Sequence, residues 1–587
     1  MTALKGPTIV DTLLALEGCT RFGARFVPRN GEPTFHPYDE VVRRAQWVAG
    51  TLQAHGLAPG DRVALILPTS IHFLDSFLGI QLAGGIPAAV YPPLRLGRLE
   101  EYYTRTRAML TRIGARFLIT DSAVRKLIGP AVAEVPSLAG VFDAADLLTP
   151  APWRRVEIDP SAPAFLQFSS GTTLEPKAVV VTHTGLLHNL AAMDSLFDRY
   201  TAEDAEQGGV CWLPLYHDMG LVGCMFNGLH HPATMTYIGP ELFIVRPAIW
   251  LKTMSRYKAL ISPAPDFAYG LCLTKIKDSE MEGVDLSQWI FALNGAEPID
   301  TGQMERFVER FAQWGLRPEA LTPVYGLAEA GLAVTFSDPW AKARVVEFDR
   351  DRLSEDGVAV PGAGRRLPSV GKPLPSIELE IRGPDGRPVG EGRVGRIMIG
   401  GPSITTGYYN APEITAETIR DGWLDTGDLG FRHEGELYIA GRAKDLIILR
   451  GRNYAPQEIE ELLVGMDGLR VGCAAAVGHF VEGAGEQLVI LAEKDIRSDR
   501  PSEEMIGEIK SRLLTGLSLS PHHVEILTPG TLPRTSSGKL RRSDALRMFV
   551  SRGLEPPKKV GVIEIAKGLG RSQVAWAKFR RRRKGPA

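Results

Sequence analysis

Strand and helix patterns alternate through the first 120 residues, and this alternation limits the possible folds more than any other feature of the chain. Residues 39–56 carry apolar side chains at helical spacing, and Arg62-Val63-Ala64-Leu65-Ile66-Leu67 reads as a buried strand. Residues 70–83 are helical again, and Ala88-Ala89-Val90-Tyr91 is a second strand, stopped by Pro92-Pro93. A third helix over 98–112 leads to a third strand, Phe117-Leu118-Ile119-Thr120. Such β-then-α order predicts an α/β protein with a mostly parallel sheet covered on both faces.

At 587 residues the chain is too long for one core, so two or more domains are expected. The texture changes near 440. Before it, residues 376–400 and 423–440 read as short antiparallel strands with glycine turns. After it, residues 446–550 have the size and pattern of a small α+β domain. From 551 the chain turns basic and ends in Phe579-Arg580-Arg581-Arg582-Arg583-Lys584, which reads as a solvated, poorly ordered tail. The longest apolar tract, around 77–94, is interrupted by Gln81, Gly84, Gly85, Pro87, Pro92 and Pro93 and is no membrane span. A net charge of −1 gives no field for specific nucleic-acid binding. Five scattered cysteines without a Cys-x-x-Cys pair point to reduced thiols in a cytoplasmic protein rather than a zinc site.

Residues 169–177, Ser-Ser-Gly-Thr-Thr-Leu-Glu-Pro-Lys, are the strongest pointer to chemistry. They lie between two apolar runs, Ala164–Phe168 and Ala178–Val181, so a polar loop between buried strands is expected. Hydroxyls and backbone N–H groups in such a loop can cradle phosphate oxygens, and Lys177 adds a positive charge. The P-loop pattern Gly-x4-Gly-Lys-[Ser/Thr] is absent. Further islands follow in order: Pro214-Leu215-Tyr216-His217-Asp218-Met219-Gly220, Asn294-Gly295-Ala296-Glu297, Tyr325-Gly326-Leu327-Ala328-Glu329, Trp423-Leu424-Asp425-Thr426-Gly427-Asp428 and Pro533-Arg534-Thr535-Ser536-Ser537-Gly538-Lys539. Each alone reads as structural: a core histidine, a capping carboxylate, a surface lysine.

Their joint order, from about residue 35 to 545, resembles the adenylate-forming superfamily of acyl-CoA synthetases, nonribosomal adenylation domains and luciferases. The resemblance implies a large N-terminal domain (1–441) of two αβ-layered subdomains and a β-barrel-like part. It further implies a hinge (442–445) at Lys444, a small mobile α+β domain (446–550) and the basic tail (551–587). The implied chemistry is ATP-dependent activation of a carboxylic acid to acyl-AMP with Mg2+. By the same resemblance, Ser170, Gly171, Thr172, Thr173 and Lys177 hold the phosphates, and Glu329 is the Mg2+ carboxylate. Tyr325, with Gly326, matches the ring that stacks on adenine, and Asn294, Gly295 and Ala296 match the strand edge beside it. Asp428 matches the acceptor of the ribose hydroxyls and Arg442 a second ribose or phosphate contact. Lys539, with His217 and Glu329, falls in catalytic positions, Lys539 bridging the attacking carboxylate and the α-phosphate. The phosphate loop departs from the usual Thr-Gly-x-Pro-Lys: Leu174 replaces a glycine, which implies a stiffer loop.

Within the superfamily the chain is most similar to the fatty acyl-AMP ligases. Val90-Tyr91-Pro92-Pro93, Tyr216–Leu221, Pro265-Asp266-Phe267-Ala268-Tyr269 and Asp445–Ile448 leading to Arg450-Gly451-Arg452-Asn453 carry that likeness. So does the long interval between Glu329 and Ser369, whose centre, Val345 to Pro368, resembles a shortened form of the insertion typical of that group. The expected acceptor is the phosphopantetheine thiol of a holo acyl carrier protein, or of a polyketide synthase or nonribosomal synthetase carrier domain, supplied in trans. The alternatives are an acyl-CoA ligase of the same fold and a non-catalytic acyl-adenylate-binding protein. Phe226, Phe243, Phe267 and Tyr269 fall in stretches that could line an apolar tunnel or simply fill the core.

Overall fold

The computed structural model describes residues 6–93, 96–169, 176–197, 207–449, 452–481, 485–535, 538–556 and 562–584. The alternating pattern folds as expected. Helices Tyr38–Ala54, Ile71–Leu82 and Leu99–Arg112 separate strands Arg62–Ile66, Ile86–Ala89 and Phe117–Thr120. These strands belong to a six-stranded sheet ordered Gly140–Asp143, Phe117–Thr120, Arg62–Ile66, Ile86–Ala89, Pro163–Phe168, Ala178–Thr182. All its pairings are parallel except the last, where Pro163–Phe168 meets Ala178–Thr182 antiparallel. The phosphate-loop candidate therefore joins two neighbouring strands. Its residues Ser170, Gly171, Thr172 and Thr173, together with Leu174, lie outside the described residues.

A nine-stranded sheet forms the second layer. At its centre Ile261–Ala264, Phe291–Asn294 and Leu321–Gly326 run parallel. One large apolar cluster joins the two sheets, with Phe77, Phe165 and Phe226 in contact across it. In open parallel sheets ligands bind beyond the carboxyl ends of the strands. Here those ends are Phe168, Cys211, Asn294 and Gly326, and each leads directly into one of the sequence islands.

The β-barrel-like part is an open sheet. Glu378–Arg382, Gly395–Gly400, Trp423–His433 and Ile419–Arg420 lie in that order, and Glu436–Arg442 pairs with Trp423–His433. Alternating glycine turns predict antiparallel strands, but closure depends on register and strand tilt, which the pattern does not encode. Residues 446–550 build a separate three-stranded sheet, Leu469–Val481, Gly485–Lys494 and His523–Leu527, with helix Ser502–Leu517 packed on it. This sheet has apolar clusters of its own on both faces.

The segment after Ser337 forms a hairpin, Val345–Asp349 with Gly364–Pro368, and helix Arg350–Glu355 lies within its loop. Phe348 is fully buried among Leu353, Leu367, Phe431 and Tyr438, which roots the hairpin on the open sheet. Its outer side meets the small domain. Arg350 donates to Glu458 Oε1 at 2.7 Å and to the Gly516 carbonyl at 3.1 Å, and Arg452 donates to Asp351 Oδ1 at 3.1 Å.

The basic tail is not a solvated tail. Residues Val562–Lys584 form a helix that packs along helix Ser122–Val132 of the large domain. Trp576 and the buried Phe579 supply the apolar contact, so the arginine run is the end of an amphipathic helix with one covered face.

Removing the Phe348 ring takes away the central contact of the hairpin's root. Phe348→Ala should cost about 3–5 kcal/mol of local stability. Hydrogen exchange at residues 345–349 and 364–368 should accelerate accordingly, with the six-stranded sheet unaffected.

Candidate active site

The two sheets, the open sheet and the small domain enclose a cavity of about 2000 Å³. Ordinary small-ligand pockets reach roughly 1,000 Å³, so this one has room for two reactants together. Among the residues expected at the site, Lys177, His217, Ala296, Tyr325, Gly326 and Glu329 line it from the large domain. Asp428, Arg442, Lys444 and Lys539 line it from the open sheet, the connection and the small domain.

The firmest geometry surrounds Asp428. Strand Trp423–His433 pairs with Glu436–Arg442 so that Asp428 stands directly opposite Arg442. Arg442 Nε donates to Asp428 Oδ1 at 3.0 Å, and the Tyr325 hydroxyl donates to Oδ2 at 2.7 Å. Asp428 is 8% exposed. Its carboxylate is an acceptor fixed at both oxygens, with lone pairs left over for a ligand. Burial pushes the Tyr325 phenol well up, and the Asp428 charge adds to this, so the hydroxyl stays a donor.

Asn294 and Gly295 do not line the cavity; they support it. Asn294 is fully buried and donates to Asp266 Oδ1 at 2.8 Å, fixing the start of helix Asp266–Lys275. A Cβ on Gly295 would sit 2.7 Å from Val324 Cγ2. Ala296 follows with a φ of 70°, a left-handed conformation that a non-glycine residue adopts at a cost. That turn brings the chain edge against the cavity and leads to Glu297, whose carboxylate accepts from the Phe267 N–H at 2.7 Å. Burial raises the Glu297 pKa, and Lys539, Arg534 and Arg542 oppose the rise.

Lys539 sits in a tight loop closed by Thr535 N–H to the Lys539 carbonyl at 2.8 Å and Lys539 N–H to Thr535 Oγ1 at 3.0 Å. Gly538 lies over Phe267. Burial pushes the Lys539 ammonium pKa down, Asp218 and Glu297 pull it back up, and Arg442 pushes it down again. An ammonium in this field is partly desolvated and feels the charge of several acidic groups.

His217 precedes the short helix Asp218–Gly220, which continues as wide π turns through Phe226, a local irregularity frequent at functional sites. His217 Nδ1 lies 2.6 Å from Asp218 Oδ1, both side chains being 15% exposed, and Asp218 also accepts from Met219 N–H at 2.8 Å. Burial alone would raise the Asp218 pKa. The His217 contact and the Lys539 charge outweigh it and hold the carboxyl at about 2. Glu329 accepts from the Tyr408 hydroxyl at 2.9 Å, and burial raises its pKa against that hydrogen bond. The Lys177 ammonium stands 5.2 Å from the centre of the same Tyr408 ring. Tyr408 thus joins two expected phosphate-side residues, and nothing in the sequence reading singled it out. Its only sequence signal is the Gly407-Tyr408-Tyr409-Asn410 turn after the open sheet's second strand. Lys444 occupies the 3-10 turn Ala443–Asp445, directly between the open sheet and the small domain. Of the four aromatics considered for a tunnel, Phe267 lines the cavity, whereas Phe226, Phe243 and Tyr269 are fully buried core.

The donor chemistry fits a nucleotide with a hydrated hard cation. Glu329 lines the cavity with its carboxylate near Lys177 through Tyr408, and among the described residues no group of three or more His, Cys, Asp or Glu that could hold a metal ion is found. Mg2+ is usually held in this way, by one or two carboxylates, substrate phosphates and water.

The AMP-binding enzyme family matches residues 31–409, and the chain belongs to it. It is an acyl-adenylate-forming ligase, most similar to the fatty acyl-AMP ligases. A putative acyl-CoA synthetase of Caulobacter vibrioides is 36% identical over 527 residues, 88% of this chain and 90% of that one. The medium-chain-fatty-acid–acyl-carrier-protein ligase JamA of Moorena producens is 32% identical over 554 residues, 90% of this chain and 92% of that one. A solved structure from a study of fatty acyl-adenylate ligases from E. coli and L. pneumophila superposes with a TM-score of 0.87 at 34% identity, covering 94% of this chain and 99% of that one. No helix among the described residues is long and apolar enough to cross a membrane.

The Asp218 carboxyl generates a pH prediction. A folded pKa below the ordinary 3.8 stabilises the fold above that pH, and the contribution is lost as pH falls toward 2. His217→Ala removes the leading cause of the depression. It should lower stability by about 2 kcal/mol at pH 6 and by less at pH 3, in denaturant titrations at both pH values.

Proposed function

We propose that the chain uses ATP and Mg2+ to activate a fatty acid as acyl-AMP, then passes the acyl group to the phosphopantetheine thiol of a carrier protein supplied in trans. The observation that carries the first step is the convergence of Lys539, on the small domain, with the Asp428–Tyr325–Arg442 group on one cavity. In that step a carboxylate oxygen bonds to the α-phosphorus of ATP, the bond to the bridging oxygen breaks, and pyrophosphate leaves. Both reactants are anionic, so positioning and cation placement decide the rate. Lys539 offsets the charge of the attacking carboxylate and the α-phosphate. Asp428 accepts from the ribose hydroxyls, oriented by Tyr325 and Arg442. The face of Tyr325 and the chain edge at Ala296 and Gly326 frame the adenine. Lys177 and the hydroxyl loop before it contact the outer phosphates. Glu329 holds Mg2+, steadied by Tyr408; when bound, the ion neutralises phosphate charge. His217, held by Asp218, lines the same cavity as Lys539.

Two observations support a carrier protein rather than CoA as acceptor. JamA, named for acyl-carrier-protein ligation, aligns across nearly the whole chain. The hairpin Val345–Pro368 is rooted on the large domain and bonded to the small one through Arg350 and Arg452. A hairpin so placed resists rotation of the small domain about Lys444. A carrier protein can offset this resistance with contacts of its own, and free CoA cannot.

Lys539→Ala should cut pyrophosphate release by about 10²–10³-fold with the fold intact, and a near-normal rate would remove Lys539 from catalysis. The double variant Arg350→Ala with Arg452→Ala removes two side chains that join hairpin and small domain without touching Phe348 at the root, and acyl-CoA yield should rise several-fold relative to acyl-carrier product. Efficient acyl-CoA formation by the unaltered enzyme would replace the carrier-protein reading with that of an acyl-CoA ligase.

A further inference from the structure

The last helix follows the small domain in sequence but docks on the large one. Helix Val562–Lys584 lies along helix Ser122–Val132. The Gly129 N–H donates to Ser572 Oγ at 3.0 Å, and a Cβ on Gly129 would stand 2.5 Å from the Ser572 carbonyl oxygen. Backbones this close leave no room for a side chain. Ser572 is fully buried, and Trp576 Nε1 donates to the Arg125 carbonyl at 2.9 Å. Phe579 packs with Ile128 and Val132, and Arg582 donates to the carbonyls of Ala133 at 3.1 Å and Val135 at 2.7 Å.

A single helix of the large domain, Leu99–Arg112, joins this dock to the small domain. Its Glu100 accepts from Arg571 at 2.6 Å. Its Glu101 and Arg105 each lie 3.8 Å from Arg541 and Asp544, respectively, two small-domain residues that are 2% exposed. Arg98, just before it, donates to the Gly530 and Thr531 carbonyls. The small domain is therefore flanked on both sides: before it lies the turn Ala443–Asp445, and after its last helix, Arg542–Val550, the chain continues to a helix docked on the large domain from Val562. That connection spans at most ~40 Å fully extended. An anchored end keeps the domain at high effective concentration beside its docking surface.

We propose that the C-terminal helix is a strap that holds the small domain on the large domain with Lys539 over the cavity, and that its grip sets how readily the small domain turns away for acyl transfer. Adenylation needs no release, because Lys539 is already in place. The consequence for transfer rests on the two-step reading above; the strap itself does not.

The test uses two full-length variants. Gly129→Leu puts a side chain where the Ser572 backbone lies, and Trp576→Ala with Phe579→Ala removes the apolar grip. Hydrogen exchange over 562–584 reports release of the helix, and exchange over 98–105 and 528–545 reports loosening of the small domain. Both variants should accelerate exchange in all three segments and slow pyrophosphate release, because Lys539 then spends less time over the cavity. Single-turnover transfer from preformed acyl-AMP to pantetheine should rise about fivefold, the effect of ~1 kcal/mol. Released helices with native exchange at 98–105 and 528–545 would overturn the strap. So would full protection of 562–584 surviving in both variants, because the named contacts would then not hold the helix. Looser exchange without faster transfer would leave the strap standing and refute the acyl-transfer reading instead.

Discussion

The Asp428 carboxylate is the point through which three parts of the molecule are held in register. One oxygen takes the hydroxyl of Tyr325, at the end of a central strand of the nine-stranded sheet. The other takes Arg442, the last residue of the open sheet before the connection to the small domain. A carboxylate 8% exposed would be costly without such partners. With them it fixes where the open sheet stands relative to the parallel core, and therefore from where the small domain departs. Lys539 reaches the cavity from that departure point, so its placement depends on this one shared anion as much as on any apolar contact.

Charge in the cavity is arranged in opposing pairs. The Lys539 ammonium, pushed down by burial, is met by Asp218 and Glu297. Asp218 is kept ionised by His217 and Lys539, and Glu329, pushed up by burial, receives the Tyr408 hydroxyl. Apart from the neighbours His217 and Asp218, these groups come from separate segments of the chain. The small domain brings Lys539 to this site, and close by in the chain Arg541 and Asp544 are buried against helix Leu99–Arg112. The hairpin Val345–Pro368 meets the small domain through Arg350 and Arg452, and the helix Val562–Lys584, which follows that domain in sequence, packs on helix Ser122–Val132.

The strands and helices of the parallel sheet are legible in the sequence because each has a buried face with its own period. The strand pattern at 62–67 becomes Arg62–Ile66, and the helical spacing at 70–83 becomes Ile71–Leu82. The antiparallel character of 376–400 and 423–440 is equally legible, but its open form is not, since closure is a property of several registers at once. Motif order likewise identifies the family and several of the residues that line the cavity. It misplaces Asn294 and Gly295, which face inward to Asp266 and Val324, because a motif marks a segment and not the direction of each side chain.

The sequence by itself determined the alternation of elements, the family and the segments that carry chemistry, because local periodicity and short motifs are written in neighbouring residues. Tertiary structure alone decided what lies far apart in the chain but meets in space. Tyr408 bonds Glu329 across 79 positions, and Ser572 meets Gly129 across 443. The arginine-rich end reads as solvated because its partners are absent from its own segment. It becomes a docked helix only where Gly129 lets two backbones touch and where Ile128 and Val132 offer an apolar surface to Trp576 and Phe579.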